Sequence, residues 1–168
     1  IAFLHPIDGP FAEALLANAG ATNGVQEGYY AENDRGLVGR VVQVGNRSSR
    51  ILKVTDFNSR VPVMGESSGL RAIMFGGRDG MGRLIDLPEQ GQFLPNERIL
   101  TAGEGGMFPR GVVGGHVRGE TDKEVRVDLS MLTGQLSYVR LKPTITITAP
   151  EESPVETDLA ELSEEDGS

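Results

Sequence analysis

No cysteine and no tryptophan occur in these 168 residues, and histidine occurs only twice. Without cysteine there is no disulfide framework, no Cys-ligated metal and no thiol nucleophile. His5 and His116 stand far apart, and no set of ligands sits at a recognisable metal spacing, so neither a metal nor a cofactor is expected. Aromatics make up 5% of the chain, three of them tyrosine. Stacking platforms for sugars or single-stranded bases are therefore poorly supplied. No apolar run approaches the ~18 residues of a membrane-crossing helix. The chain opens at Ile1 with neither Met nor a signal-like n-region, the expectation for an excised fragment that leaves room for an upstream anchor.

Charge of one sign is also missing from most of the chain. The formal net charge is −8, yet eight of the 24 acids fall in residues 151–168, a stretch with no Lys or Arg. The residues before it hold 16 acids against 16 Lys and Arg and are formally neutral. A neutral body lacks the basic excess of a nucleic-acid footprint, so no nucleic-acid partner is expected. In the tail, Val155, Leu159 and Leu162 offer too little apolar surface to offset ordering entropy, and residues 150–168 are expected to be a disordered acidic segment. One basic island interrupts the neutrality. Arg35, Arg40, Arg47, Arg50, Lys53 and Arg60 face a single acid, Asp56, across residues 35–60. Either acids from other segments neutralise this island, or strand alternation gathers part of it on one face, suited to an acidic partner or to the chain's own tail.

What the chain does have is glycine: 23 residues, roughly twice the usual ~7%. Glycine at that density weakens helix and strand interiors alike and points to turns, bulges and tight corners. Short β segments separated by Gly, Asn, Asp or Pro recur about every 8–12 residues, the pattern of an all-β sandwich or barrel. They are residues 36–44, 51–55, 60–64, 70–75, 81–87, 98–102, 112–118, 125–129, 137–141 and 144–148. Pro62 inside a run predicts an edge strand or a bulge. Residues 11–19 are rich in Ala and Leu but too short for a stable helix by propensity alone. Residues 25–44 also echo residues 100–119 at an offset of 75, with Gly28/Gly103, Arg35/Arg110, Gly36/Gly111, Val38/Val113 and Gly39/Gly114 coinciding. Two similar small barrels, or two unrelated Gly-rich hairpins, would both produce that echo.

Several stretches imitate catalytic or binding motifs. Gly65-Glu66-Ser67-Ser68-Gly69 fits G-x-S-x-G, with Ser67 as nucleophile and Asp79 or Asp86, then His116, in the chain order of an α/β hydrolase. That chemistry needs a strand-to-helix elbow, whereas residues 70–76 read as a strand, so a polar hairpin loop is the better reading. A trypsin-like order from His5 through Asp56 to a later Ser is weaker still. Gly76–Gly82 and Gly103–Gly106 lack both G-x-G-x-x-G and GK[ST], and they read as turns rather than phosphate cradles. Met107-Phe108-Pro109 reads as a loop tucking apolar groups into a barrel mouth, or as an exposed contact for a partner. The residues singled out for protein interaction are Arg47, Arg50, Met107 and Phe108.

Three blocks in order carry a resemblance. They are Asp56-Phe57-Asn58-Ser59-Arg60-Val61-Pro62-Val63, then Ser68-Gly69-Leu70-Arg71-Ala72-Ile73-Met74, then Thr101-Ala102-Gly103 through Phe108-Pro109-Arg110-Gly111-Val112-Val113-Gly114. Gly24-Val25-Gln26-Glu27-Gly28 and Gly36-Leu37-Val38-Gly39-Arg40-Val41 precede them. Together they resemble the rod shape-determining MreC family over residues 1–142. The resemblance implies an all-β fold of two small six-stranded barrels, arranged as in trypsin-like proteases but without a triad. It makes residues 11–19 the end of a strand and its loop, and it brings no catalytic residue. It implies a periplasmic scaffold of the bacterial cell-elongation complex, anchored in the inner membrane by an N-terminal helix that this chain lacks. The implied partners are a class B penicillin-binding transpeptidase, which the scaffold activates, other membrane and cytoskeletal proteins of that complex, and the protein itself as dimer or filament. A serine hydrolase using Ser67 and His116 and a peptidoglycan-binding barrel are the rival functions. The expected division is residues 1–60 with 119–149 as a discontinuous first barrel, 61–118 as the second, and 150–168 as the tail.

Overall fold

The computed structural model of the chain describes residues 1–7, 13–77, 79–121, 124–129 and 134–144. Twelve strands among them form two closed antiparallel barrels of six strands each. The first contains β1 (Ala2–Ile7), β2 (Ala14–Ala17), β3 (Tyr30–Asn33), β4 (Gly36–Val44), β5 (Ser49–Lys53) and β12 (Tyr138–Lys142). The second contains β6 (Arg60–Gly65), β7 (Arg71–Gly76), β8 (Met81–Ile85), β9 (Arg98–Thr101), β10 (Val113–Thr121) and β11 (Glu124–Asp128). Closure leaves no unpaired sheet edge in either ring. No described helix is long and apolar enough to cross a membrane.

Read around the ring, the first barrel runs β12-β1-β2-β5-β4-β3 and the second β6-β7-β8-β11-β10-β9. The two orders coincide strand for strand once β12 stands in the place of β6. The first barrel is thus a circular permutation of the second, completed by a strand that arrives after the whole second barrel. The 75-residue echo aligns β4 with β10, which hold equivalent places in the two rings. Its glycines agree in conformation too: Gly28 and Gly103 have φ of 88° and 79°, and Gly36 and Gly111 of 141° and 93°.

Strand pairing moves one expected boundary. Residues 119–149 do not all join the first barrel, because β10 continues to Thr121 and β11 pairs with β8, Val125 opposite Leu84. Val125 and Val127 are fully buried in the second interior, and without β11 that ring would lack its sixth strand. Pro62 also departs from expectation, since β6 is paired on both sides and is no edge strand. Pairing with β9 begins at Val63, and the Pro62 carbonyl accepts Ala102 N at 2.9 Å. Within a strand the N and C=O of one residue point to the same side. The missing N–H of Pro62 therefore falls just past the last paired residue of β9, where it breaks no ladder bond. Within residues 11–19, which the resemblance makes the end of a strand and its loop, the Ala-Leu run forms β2. The expected strand over 144–148 and the acidic tail lie mostly or wholly outside the described residues.

Alternation builds the interiors. In β6 the buried side is Val61 and Val63, and in β7 it is Ala72 and Met74. The first barrel encloses Ala2, Leu4, Leu15, Ala17, Ala31, Val38, Val41, Ile51 and Val139. The second interior, with Met74, Leu84, Ile99 and Leu129, is continuous with Tyr30, Leu37 and Val54 from the first barrel. One apolar core therefore spans the junction. The connection over residues 54–59 is fastened there by Asp56, which is wholly buried. Its carboxylate accepts Glu13 N at 2.6 Å and Asn58 N at 2.8 Å. A buried carboxylate satisfied by backbone donors avoids the desolvation cost of an unpaired charge. Gly76 lets β7 lie directly on this connection, since a Cβ there would overlap the Thr55 and Asp56 backbone.

Candidate interaction surfaces

The outward side of β4 faces the second barrel. Lys142 pairs with Tyr30, Tyr30 with Arg40, and Arg40 with Leu52, so one row crosses β12, β3, β4 and β5. Tyr30 turns into the shared core, whereas Arg40 opens onto a cleft of about 110 Å³ lined also by Val42, Leu52, Arg60, Met107 and Phe108. The Arg40 guanidinium has one Nη 3.8 Å from Met107 Sδ, and its buried Nε has no partner among the described residues. A thioether is a weak acceptor, so this cation is poorly satisfied. Arg60 donates to the carbonyls of Phe57 at 2.6 Å and Ser59 at 3.2 Å, and lies 5.1 Å from the centroid of the Phe75 ring. Its stacking over an aromatic face is favourable but leaves the positive charge uncompensated.

The same face continues outward along the β4–β5 hairpin. Arg50 stands two residues from Leu52 on the same side of β5, opposite Gln43 and beside Leu16, while Arg47 sits exposed in the turn. Of the basic island, Lys53 is neutralised by Glu13 at 3.4 Å. Among the described residues, Arg40, Arg47, Arg50 and Arg60 have no carboxylate within ion-pair distance. Three uncompensated arginines, Arg47, Arg50 and Arg40, thus follow one hairpin from its exposed tip to the cleft, where Arg60 of β6 is the fourth, and the exposed apolar groups of Leu16 and Val42 lie beside them.

The four residues singled out from the sequence are divided by burial. Arg47 and Arg50 are exposed, and Met107 is half-buried on the cleft. Phe108 is only 5% exposed and packs into the shared core, and what remains accessible of it lies on the cleft wall. The loop holding it is pinned by Thr101, which hydrogen-bonds Pro109 O and accepts Val112 N at 2.9 Å. In the sequence Arg40 is one of six basic residues across positions 35–60. Its signal lay in register, which needs the β3–β4 bulge and is invisible in composition.

The rival hydrolase reading rests on Ser67 and His116, which lie on different elements. Ser67 is exposed in the hairpin between β6 and β7, His116 lies within β10, and no hydrogen bond joins them among the described residues. The motif's neighbour has the structural role. Ser68 Oγ donates to Glu97 Oε1 at 2.7 Å, and Ser68 N donates to Glu97 Oε2 at 3.0 Å. Glu97 is nearly buried, and a Cβ at Gly65 would strike its carboxylate. The G-x-S-x-G spacing therefore records a hairpin clamped by Glu97.

A polar clamp also closes the first barrel on its outside. Asp34 accepts the Tyr138 hydroxyl at 2.6 Å and Arg140 Nη2 at 2.9 Å. The Tyr138 hydrogen bond, then that of Arg140, holds the Asp34 carboxyl below its ordinary range, and the same bond raises the Tyr138 phenol. Lys142, bonded to Glu32, is likewise raised. In the second barrel Arg98 holds Glu66 down through a bidentate pair.

Residues 7–142 match the family described as rod shape-determining protein MreC, barrel core. Two proteins named cell shape-determining protein MreC are similar to the chain. One, from Caulobacter vibrioides, is 41% identical over 79% of this chain and 38% of its own length. The other, from Cereibacter sphaeroides, is 36% identical over 79% of this chain and 44% of its own length. The chain spans about two fifths of the length of these relatives. Among solved structures, MreC from Pseudomonas aeruginosa superposes with a TM-score of 0.74 at 27% identity, covering 83% of this chain and 96% of that one. The fold also recurs at a TM-score of 0.65 and 15% identity in a structure described as a complex between penicillin-binding protein PBP2 and MreC from Helicobacter pylori, covering 87% of this chain and 100% of that one. With a family match across the double barrel and two relatives above one third identity, the chain belongs to the MreC family of rod shape-determining proteins.

Proposed function

We propose that this double barrel is the periplasmic part of a cell-elongation scaffold. It binds a class B penicillin-binding transpeptidase, favours that enzyme's active conformation, and associates with copies of itself as dimer or filament. In this reading an N-terminal helix outside the chain anchors it to the inner membrane, beside the other membrane and cytoskeletal proteins of the complex. The observation that carries the reading is the double barrel itself, shared with an MreC structure described in complex with PBP2. Activation is differential binding: contacts made only in one conformation of the transpeptidase shift its population toward that conformation. Arg47, Arg50 and Met107 belong to the proposed contact surface, and Phe108 supports Met107 from beneath.

Titrating the chain with the periplasmic region of such a transpeptidase should give saturable binding. Arg47→Glu combined with Arg50→Glu should weaken it, mainly through a slower association rate. Absence of binding at concentrations on the order of tens of micromolar, a weak-affinity limit of about −6 kcal/mol, would overturn the reading.

A further inference from the structure

We infer that the acidic segment of this same chain, Glu151–Asp166, docks on the basic face of the β4–β5 hairpin. Its carboxylates meet Arg40 and Arg60, and an apolar residue of the segment enters the cleft between the barrels. Three observations converge on this occupant. The first is the unmet demand of the surface: among the described residues Arg40 and Arg60, on a cleft lined by Met107, Phe108 and Leu52, and Arg47 and Arg50, farther out on the hairpin, have no carboxylate partner, and the buried Nε of Arg40 has no partner at all. A cation in that setting favours an anion set beside an apolar group, because each half of the site then finds its complement.

The second is the composition of the segment. Residues 151–166 carry all eight acids of the tail and no base, with Val155, Leu159 and Leu162 distributed among them. No other stretch of the chain combines that charge with interspersed apolar residues. The rest of the chain is formally neutral, so the four unpaired arginines and the eight acids are the two large local imbalances in one molecule.

The third is where the chain leaves the barrel. Lys142, at the end of β12, occupies the same row as Tyr30 and Arg40. Arg40 therefore lies two strand spacings away, about 10 Å. Residues 143–150 separate Lys142 from Glu151, enough chain to span up to about 28 Å when extended. The acids are thus tethered within reach of the arginines at a high effective concentration, an advantage no separate partner shares. Docked there, the segment covers the outward face carrying Arg40, Arg50 and Met107, and any acidic partner of that face must displace it.

The absence of cysteine provides the test. Ala160→Cys introduces the only thiol in the full chain, and a nitroxide attached there reports proximity through paramagnetic broadening. The Met107 methyl and the Arg40 Nε–H should lose most of their intensity. The ring of Phe3, on the strand diametrically opposite β4 in the first barrel, should keep its intensity. The loss should vanish in the combined variant Glu156→Gln, Asp158→Asn and Glu161→Gln, and near 1 M salt, where the Debye length is about 3 Å. Unchanged Met107 and Arg40 signals would overturn the inference and leave the face open to an external acidic partner. Broadening that resists both charge removal and salt would overturn it as well. Broadening that persists when labelled, unenriched chains are mixed with enriched chains carrying no label would assign the occupant to a second copy and overturn the intramolecular form.

Discussion

The two barrels share one ring order and differ in how the ring is closed and filled. The second is built from consecutive segments, β6 through β11, and its interior holds Met74, Leu84, Phe93, Ile99 and Leu129. The first is narrower in its contents, with Ala2, Ala17 and Ala31 among its core residues, and it waits for β12. Between the end of β5 at Lys53 and the start of β12 at Tyr138 the chain builds the whole second barrel. Closing that long excursion as free chain costs loop entropy, whereas a prefolded second barrel holds the two ends near one another. The difference teaches that the second barrel is the foundation. Its core reaches into the first through Tyr30, Leu37 and Val54, and its fold delivers β12 to the gap between β1 and β3.

The sharpest way to break this asymmetry is a cavity in the foundation. Leu84 is fully buried in β8 and packs in the shared core. Leu84→Ala should cost about 2–5 kcal/mol, the lost transfer energy plus the unfilled volume. Denaturant titration would measure it, and hydrogen exchange should show protection falling in both barrels together. A loss confined to the second barrel would mean that the first stands alone. A smaller effect is expected at the seal. Val139, buried in β12 opposite Ala2, becomes a smaller plug in Val139→Ala, at a cost of about 1–2 kcal/mol. Exchange should then accelerate in β1, β12 and β3 while β6–β11 keep their protection. Equal acceleration in both rings would deny that the first barrel opens at its late strand.

Much of this was legible in the sequence wherever side-chain pattern decides structure. β4 begins and ends where its alternating Val-rich run does, and β6 to β11 follow short β-branched runs between glycines. Three strands are not announced by their own composition, although the family resemblance already makes residues 11–19 the end of a strand and its loop. β2 is Ala-Leu-Leu-Ala, which favours a helix in isolation, β1 contains Pro6, and β3 is only four residues long. They are strands because neighbouring strands supply partners, a tertiary effect that overrides local propensity. The surfaces were half legible. Charge counting found the basic island, but only the register reveals that Arg40 lies in the cleft and Lys53 beside Glu13. The roles of the buried carboxylates Asp56 and Glu97 were not legible, although Asp56 opens one of the family blocks, because Glu13 N and the Ser68 N–H and hydroxyl reach them from distant segments.

The smallest expected effect concerns pH, and it separates the two closures by their outer clamps. Asp34 is held below the ordinary ~3.9 of an aspartate, so between its folded and unfolded values the unfolded chain binds the extra proton. Its contribution to stability is therefore fully present above that ordinary value and is lost as pH falls through the depressed one. Tyr138 is raised above its ordinary ~10, so its contribution is present below that value and disappears as pH rises through the raised one. The seal of β12 against the 34–35 turn is thus strongest between the two limits. Glu66 in the second barrel is depressed in the same direction, by Arg98. It joins β9 to the hairpin following β6, strands whose ladder pairing already holds them together. On acidification the exchange protection of β12 should decline before that of β6 and β9, and Asp34→Asn should reduce β12 protection at neutral pH while making it insensitive to acid. Parallel decline in both barrels, unaltered by Asp34→Asn, would show that the clamp is an ornament on a ring sealed by its core alone.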